Sequence, residues 1–239
     1  MGVGPKEVVM RRASLWLRVC VTLIASAAAC SGGTEPAVTI RAEVGVSALV
    51  ALTEARIEGL VNSMQVMATT EEVKTGDWEG MKATLTKFQE VSIPLTAWFA
   101  LPDGSYYTVD AGLAAANIAD RPYFPKVMAG EVTIGDLVVS KSTGRKAMVV
   151  TVPVESGGKV IGALGASVFL DELSQRLVED LDLPDDMVFY AANDAGKIAL
   201  HSNPDLVLED VSALGAAPER VVSKASFLLG WTFNLGFAG

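Results

Sequence analysis

Cysteine and histidine are nearly missing from this chain of 239 residues, whose only examples are Cys20, Cys30 and His201. Two cysteines fall far short of the density on which disulfide-built folds depend. One histidine excludes a zinc site built from histidines. Positive charge is also short, with 19 Lys+Arg against 28 Asp+Glu and a net charge of -9. A phosphate backbone demands clustered cations that release its counterions, so this balance argues against a nucleic-acid partner. No acid, base and nucleophile group around the single histidine, and no G-x-x-x-x-G-K run occurs. The carboxylate pairs Glu71-Glu72 and Asp185-Asp186 fall in expected turns, so the reading is of a protein that is not an enzyme and needs no cofactor or metal. Apolar residues are plentiful: half the chain is hydrophobic and 20% is charged, enough buried surface to offset the entropy of ordering.

The later apolar windows, 147–154 and 160–170, are of strand length and are broken by Pro153, Gly157 and Gly158, whereas the N-terminal run has different flanks. Arg11, Arg12 and Arg18 precede an uncharged stretch over 19–29, then Cys30 and the polar Ser31-Gly32-Gly33. This is the layout of an export signal, and it is shorter than the roughly 20 apolar residues that span a bilayer. Met10 is an alternative start. Ala27-Ala28-Ala29-Cys30 resembles a bacterial lipobox, which implies lipidation of Cys30 and anchoring to one face of a bacterial membrane. Cleavage without lipid, after the same alanines, and an uncleaved anchor are the other readings. With 1–29 removed the chain loses four basic residues and one acidic residue and becomes more acidic still.

Hydrophobic spacing organises the remainder. Over 38–69, Val46, Leu49, Val50, Ile57, Leu60, Val61, Met64 and Met67 recur at helical intervals, predicting one long helix. Asp77 stands where it can cap a shorter helix with Trp78, Met81, Leu85 and Phe88 inward. Strand patterns follow at 96–101 and 105–109 around Pro102-Asp103-Gly104, and at 137–140, 147–154 and 160–169. The alanine-rich connection at 110–130 reads as two short helices, and 170–181 as a closing helix with Leu170, Leu173 and Leu177 inward. A shorter cycle repeats the plan, with strands at 187–192, 197–202, 226–229 and 231–237 and a loop or short helix over 203–218. The fold class is therefore α+β: a long helix, an antiparallel sheet module and a second, smaller module. The expected domains are a signal peptide at 1–29, a lipidated linker at 30–37, helices at 38–92, and modules at 93–182 and 183–239.

The series Asp120-Arg121-Pro122-Tyr123-Phe124, Gly130, Ser140, Thr143-Gly144, Pro153-Val154 and Lys159-Val160-Ile161-Gly162-Ala163-Leu164-Gly165, following a long helix, resembles the Cache domains. These are PAS-like extracytoplasmic sensors of bacterial chemoreceptors, kinases and cyclases. The resemblance implies a pocket between sheet and loop in which Arg121 holds a carboxylate and Tyr123 and Phe124 exclude water. Trp98 and Tyr107 join them if the 96–109 hairpin turns both to one face. Ser167 stands about where amino-acid-binding members carry an aspartate, and Ala116 where they carry a tyrosine, so the carboxylate half of such a site is better matched than the amine half. Each residue also has a plainer reading: Arg121 paired with Asp120, Asp136 or a carbonyl, the aromatics as core, Ser167 as a packing residue. Arg145 and Lys146 read as solvated turn residues, and His201 and Trp231 as a strand-end and a core residue. The expected partners are a small carboxylate or amino-acid-like ligand, the membrane through its lipid anchor, and a transmembrane signalling or transport protein, since no output segment follows before Gly239. The rival reading is an interaction protein whose pocket has degenerated.

Overall fold

The computed structural model describes residues 35–215 and 218–237, so the export segment and Cys30 lie outside the described residues. Its first element, α1 (Glu35–Ala68), runs about 51 Å at 1.5 Å per residue. Val46, Leu49, Val50, Ile57, Leu60, Val61 and Met64 are all buried along one side, as their spacing predicts, while Ala51, Ala55, Glu58 and Asn62 face solvent. A short turn of helix, α2 (Glu71–Lys74), leads to α3 (Trp78–Val91), which buries Trp78, Met81, Leu85 and Phe88. Asp77 occupies the N-cap position with extended backbone but accepts no capping hydrogen bond, contrary to expectation. No helix among the described residues is long and apolar enough to cross a membrane.

Six strands form the larger antiparallel sheet: β1 (Leu95–Ala100), β2 (Tyr106–Thr108), β3 (Gly112–Leu113), β4 (Thr133–Val139), β5 (Lys146–Ser156) and β6 (Lys159–Phe169), in the spatial order β3-β2-β1-β6-β5-β4. Helix α4 (Tyr123–Met128) covers its outer face, and α5 (Leu170–Asp180) follows β6. The smaller sheet orders β7 (Met187–Asn193), β8 (Ile198–His201), β9 (Glu219–Ala225) and β10 (Trp231–Phe237) as β8-β7-β10-β9. Alternation along the strands separates two apolar environments. Leu95, Ala97 and Phe99 of β1, Met148, Val150 and Val152 of β5 and Leu164, Ala166 and Val168 of β6 turn inward to α1 and α3. The same core continues through Phe189, Phe233 and Leu235 of the smaller sheet, because α1 backs both sheets. Trp98, Ala100, Tyr106 and Val149 turn outward and pack with Ile118, Tyr123 and Phe124 as a second cluster.

Two segments depart from expectation. Residues 110–130 form β3 and the single helix α4 rather than two helices. The Asn117 carboxamide bonds Asp103 O at 2.9 Å and takes the Ala119 N–H at 2.8 Å, so the stretch is drawn over the β1–β2 turn instead of coiling. Residues 226–229 form the β9–β10 turn, and the strand precedes them. Glu54 of α1 fixes that turn by accepting from Ser226 Oγ at 2.8 Å and from the Leu228 N–H at 3.2 Å. The intervening 203–218 stretch carries two 3-10 turns, Pro204–Leu206 and Val211–Leu214.

Space decides the two glycines of α1. A Cβ on Gly45 would meet Leu235 Cδ2 at 2.6 Å, whereas one on Gly59 meets nothing within 4 Å. Gly59→Ala is therefore expected to stabilise the protein by about 0.5–1 kcal/mol through helix propensity alone, read as a higher urea midpoint. His201 supplies a pH test. Burial lowers its pKa, and its Nδ1 accepts the Asn203 N–H at 2.7 Å, which requires the neutral ring. Below about pH 6.5 the unfolded chain binds a proton that the folded chain refuses, so stability falls with a slope of at most about 1.4 kcal/mol per pH unit. His201→Asn should flatten urea-derived stability between pH 7 and 5.5, and an unchanged slope would refute the assignment.

Candidate ligand pocket

The outer face of the larger sheet carries the candidate site. Trp98 on β1 lies directly across from Gly165 on β6, and Thr96 across from Ser167. The indole lies over Gly165 so closely that a Cβ there would stand 2.1 Å from its ring carbons. Trp98 Nε1–H donates to Ser167 Oγ at 3.1 Å. Tyr106 meets the indole edge-on, with centroids 6.1 Å apart, and Tyr123 lies tilted against it at 6.2 Å. Burial pushes the Tyr123 phenol well above its ordinary range, so it stays neutral at physiological pH.

Loops close the mouth. Chain reversal at Pro122 places Arg121 beside β4, where Arg121 Nη2 donates to Val139 O at 2.8 Å. Arg121 forms no ion pair among the described residues, so the plain reading that holds for it is the backbone carbonyl, with other guanidinium donors unspent. Lys141, on the β4–β5 turn, donates to Asp120 Oδ1 at 2.6 Å and to Asn117 O at 2.8 Å. Its ammonium holds the Asp120 carboxyl below the ordinary value. Ser140 and Ser142 share a hydroxyl contact of 3.2 Å on the same turn. Together Trp98, Tyr106, Tyr123, Arg121, Lys141 and Ser167 enclose a cavity of only about 20 Å³, close to the space one water needs.

Of the residues singled out from the sequence, Arg121, Tyr123, Trp98 and Ser167 line this cavity. Phe124 is buried in the adjoining cluster and does not line it. Tyr107 is turned away: its partner across the hairpin is Phe99, and its ring stacks on Trp78 at 5.3 Å on the opposite face of the sheet. Trp98 and Tyr107 therefore do not share a face, and Tyr106 takes the place expected for Tyr107. One residue of strand register decides between adjacent tyrosines, and the hydrophobic pattern, which is apolar on both faces here, does not mark it. Ser140 belongs to the Cache-like series with no ligand role assigned to it, and Lys141 and Ser142 fall between the predicted strands at 137–140 and 147–154 with no ligand signal of their own.

Nor is Arg145 a solvated turn residue. Its guanidinium lies 3.6 Å from the Phe169 ring centroid and pairs with Asp171 at 2.8 Å and Glu172 at 2.7 Å. Two carboxylates in the first turn of α5 hold it while a third of its side chain stays exposed, and Lys146 beside it donates to Asp205 O at 3.1 Å. The turn that presents Lys141 to the pocket is thereby tied to the start of α5 and to the smaller sheet's connection. Because Trp98 and Gly165 are in contact, Gly165→Ala is expected to cost about 1–3 kcal/mol by overpacking, measured by urea unfolding.

No family model matches the sequence, and no curated protein matches it either. Solved structures do match. The sensor domain of the V. cholerae histidine kinase DctB aligns with TM-score 0.66 at 12% identity, covering 85% of this chain and 98% of that one. The ligand-binding domain of the Pseudomonas aeruginosa PAO1 amino-acid chemoreceptor PctC, solved with GABA, aligns with TM-score 0.62 at 18% identity, covering 84% and 97%. That of PctB from the same organism, solved with L-Arg, aligns with TM-score 0.62 at 16% identity, covering 84% and 86%. At such identities the likeness is one of fold, and this chain has the PAS-like Cache fold of these sensor and chemoreceptor ligand-binding domains.

Proposed function

We propose that this protein is an extracytoplasmic, sensor-type ligand-binding protein that takes up a small carboxylate at Arg121, and that it is tethered through lipid on Cys30. The observation that carries the reading is a guanidinium without a carboxylate partner among the described residues, set at the mouth of an aromatic-walled pocket. A planar guanidinium pairs with a carboxylate through two parallel bonds, and the surrounding rings strengthen that pairing by excluding water. Lys141 Nζ and the Ser140 and Ser142 hydroxyls stand on the facing turn as further donors. Arg121 and Lys141 are only partly buried, so their side chains can re-aim to widen the mouth without disturbing the sheet. Acting through a transmembrane signalling or transport partner follows from the same reading, as does export through residues 1–29. The likeness in fold to ligand-binding domains supports it.

A second reading, an interaction protein whose pocket no longer binds, is favoured by two observations. The cavity retains only about 20 Å³, and Phe227 stands fully exposed on the turn that Glu54 braces. A thermal-shift screen of the full chain in detergent against small carboxylates separates the two. Binding at a hundredfold excess over the dissociation constant is expected to raise the Tm by roughly 5–10 °C, and Arg121→Ala should abolish the gain. No response across a broad set of carboxylates favours the interaction reading. For the anchor, Cys30→Ser is expected to move the protein from the membrane fraction to the soluble one, and unchanged partitioning would refute lipidation.

A further inference from the structure

We infer that Trp98 is the specificity-determining residue of this site: its indole occupies the interior that a ligand's side chain would need, restricting the site to carboxylates of a few heavy atoms. The inference rests on the carboxylate reading for the class of ligand and on packing alone for the size limit. Three independent features hold the ring in place. Gly165 supplies a floor with no Cβ, since an added one would lie 2.1 Å from the indole carbons. Ser167 satisfies the only polar atom of the ring, at 3.1 Å. Tyr106 meets it edge-on, Tyr123 lies tilted against it, and the residue is 3% exposed. A buried indole with its N–H paired and both flanks packed has little reason to leave.

The cavity that remains beside the ring is about 20 Å³, and Arg121 and Lys141 are among the residues that line it. That space takes one water, and the buried indole and tyrosines wall its inner side while Arg121 and Lys141 are its more exposed lining. A formate- or acetate-sized anion fits such a site, with its carboxylate toward Arg121 and no room inward for a substituent. An α-amino acid with a side chain does not fit, and the paired Ser167 hydroxyl offers no negative charge to hold its ammonium. The residue facing Trp98 across the strands is glycine, so no side chain takes the floor in place of the indole.

Removing the plug should leave an apolar cavity shaped like an indole, and engineered apolar cavities bind small aromatic molecules. The test uses the full chain in detergent, with free indole as probe on wild type and on Trp98→Ala. Indole is expected to raise the Tm of the variant by roughly 5–10 °C at a hundredfold excess over its dissociation constant and to leave wild type unmoved. A variant that retains its circular dichroism and gains no indole response overturns the inference, as does wild type responding equally. Should Trp98→Ala fail to fold, Trp98→Leu gives the same comparison with less space freed. Acetate and indole-3-acetate on wild type form the second arm, with a response to acetate alone expected. Equal responses to both acids overturn the size limit while leaving the carboxylate reading intact. No response to either acid, with indole still binding the variant, upholds Trp98 as the plug and sinks the carboxylate reading instead.

Discussion

Everything described in this molecule leans on one interaction, the burial of a single side of α1 against two sheets at once. Leu49, Ile57 and Met64 reach essentially complete burial, and the core they enter runs without a break from Phe99 and Met148 to Phe233 and Leu235. Each fully buried aliphatic side chain contributes roughly 1.5–3 kcal/mol, so one helix face supplies much of the favourable free energy that offsets chain ordering. Geometry follows from that constraint. Because α1 and α3 cover the inner face of the larger sheet, the aromatic pocket forms on its outer face. The close approach at Gly45 and the Glu54 brace show the smaller sheet held to the same helix by shape and by hydrogen bonds.

The outer face is arranged as a graded site. Its interior is aromatic and neutral, with Tyr106 and Tyr123 against Trp98 and Ser167 answering the indole N–H. Its mouth is cationic, and the two cations differ in state. Lys141 is engaged by Asp120, while Arg121 spends a donor on a carbonyl and keeps the rest. In an acidic protein the proposed carboxylate binding would rest on the local guanidinium, since the net charge repels small anions at long range. The turn bearing Lys141 also carries Arg145, whose hold on Asp171 and Glu172 links pocket mouth to α5 by a continuous set of polar contacts.

Much of the fold was legible because its signals are periodic. The α1 stripe, the four inward residues of α3, the hairpin around Asp103 and the three central strands all carry patterns that local backbone geometry enforces. The misread elements are those in which a single polar contact overrides the pattern. Asn117 diverts the 110–130 segment, and Glu54, remote in sequence, makes a turn of 226–230. The site was legible to the same degree. Arg121 and Tyr123 stood out by type and order, whereas the choice of Tyr106 over Tyr107 depends on register, which a strand apolar on both faces does not specify.

The sequence by itself determined the α+β class, the long helix, the acidic and cysteine-poor character, and a candidate cation beside aromatic residues. These follow from composition and from periods of two and 3.6 residues, which need no knowledge of distant partners. Only the tertiary structure decided what the pocket holds. That Trp98 faces Gly165 across two strands separated by 67 positions, and fills the interior of the aromatic cluster, is a consequence of pairing register and van der Waals contact. Neither leaves a trace in local pattern, because a tryptophan that lines a cavity and one that fills it are written with the same letter.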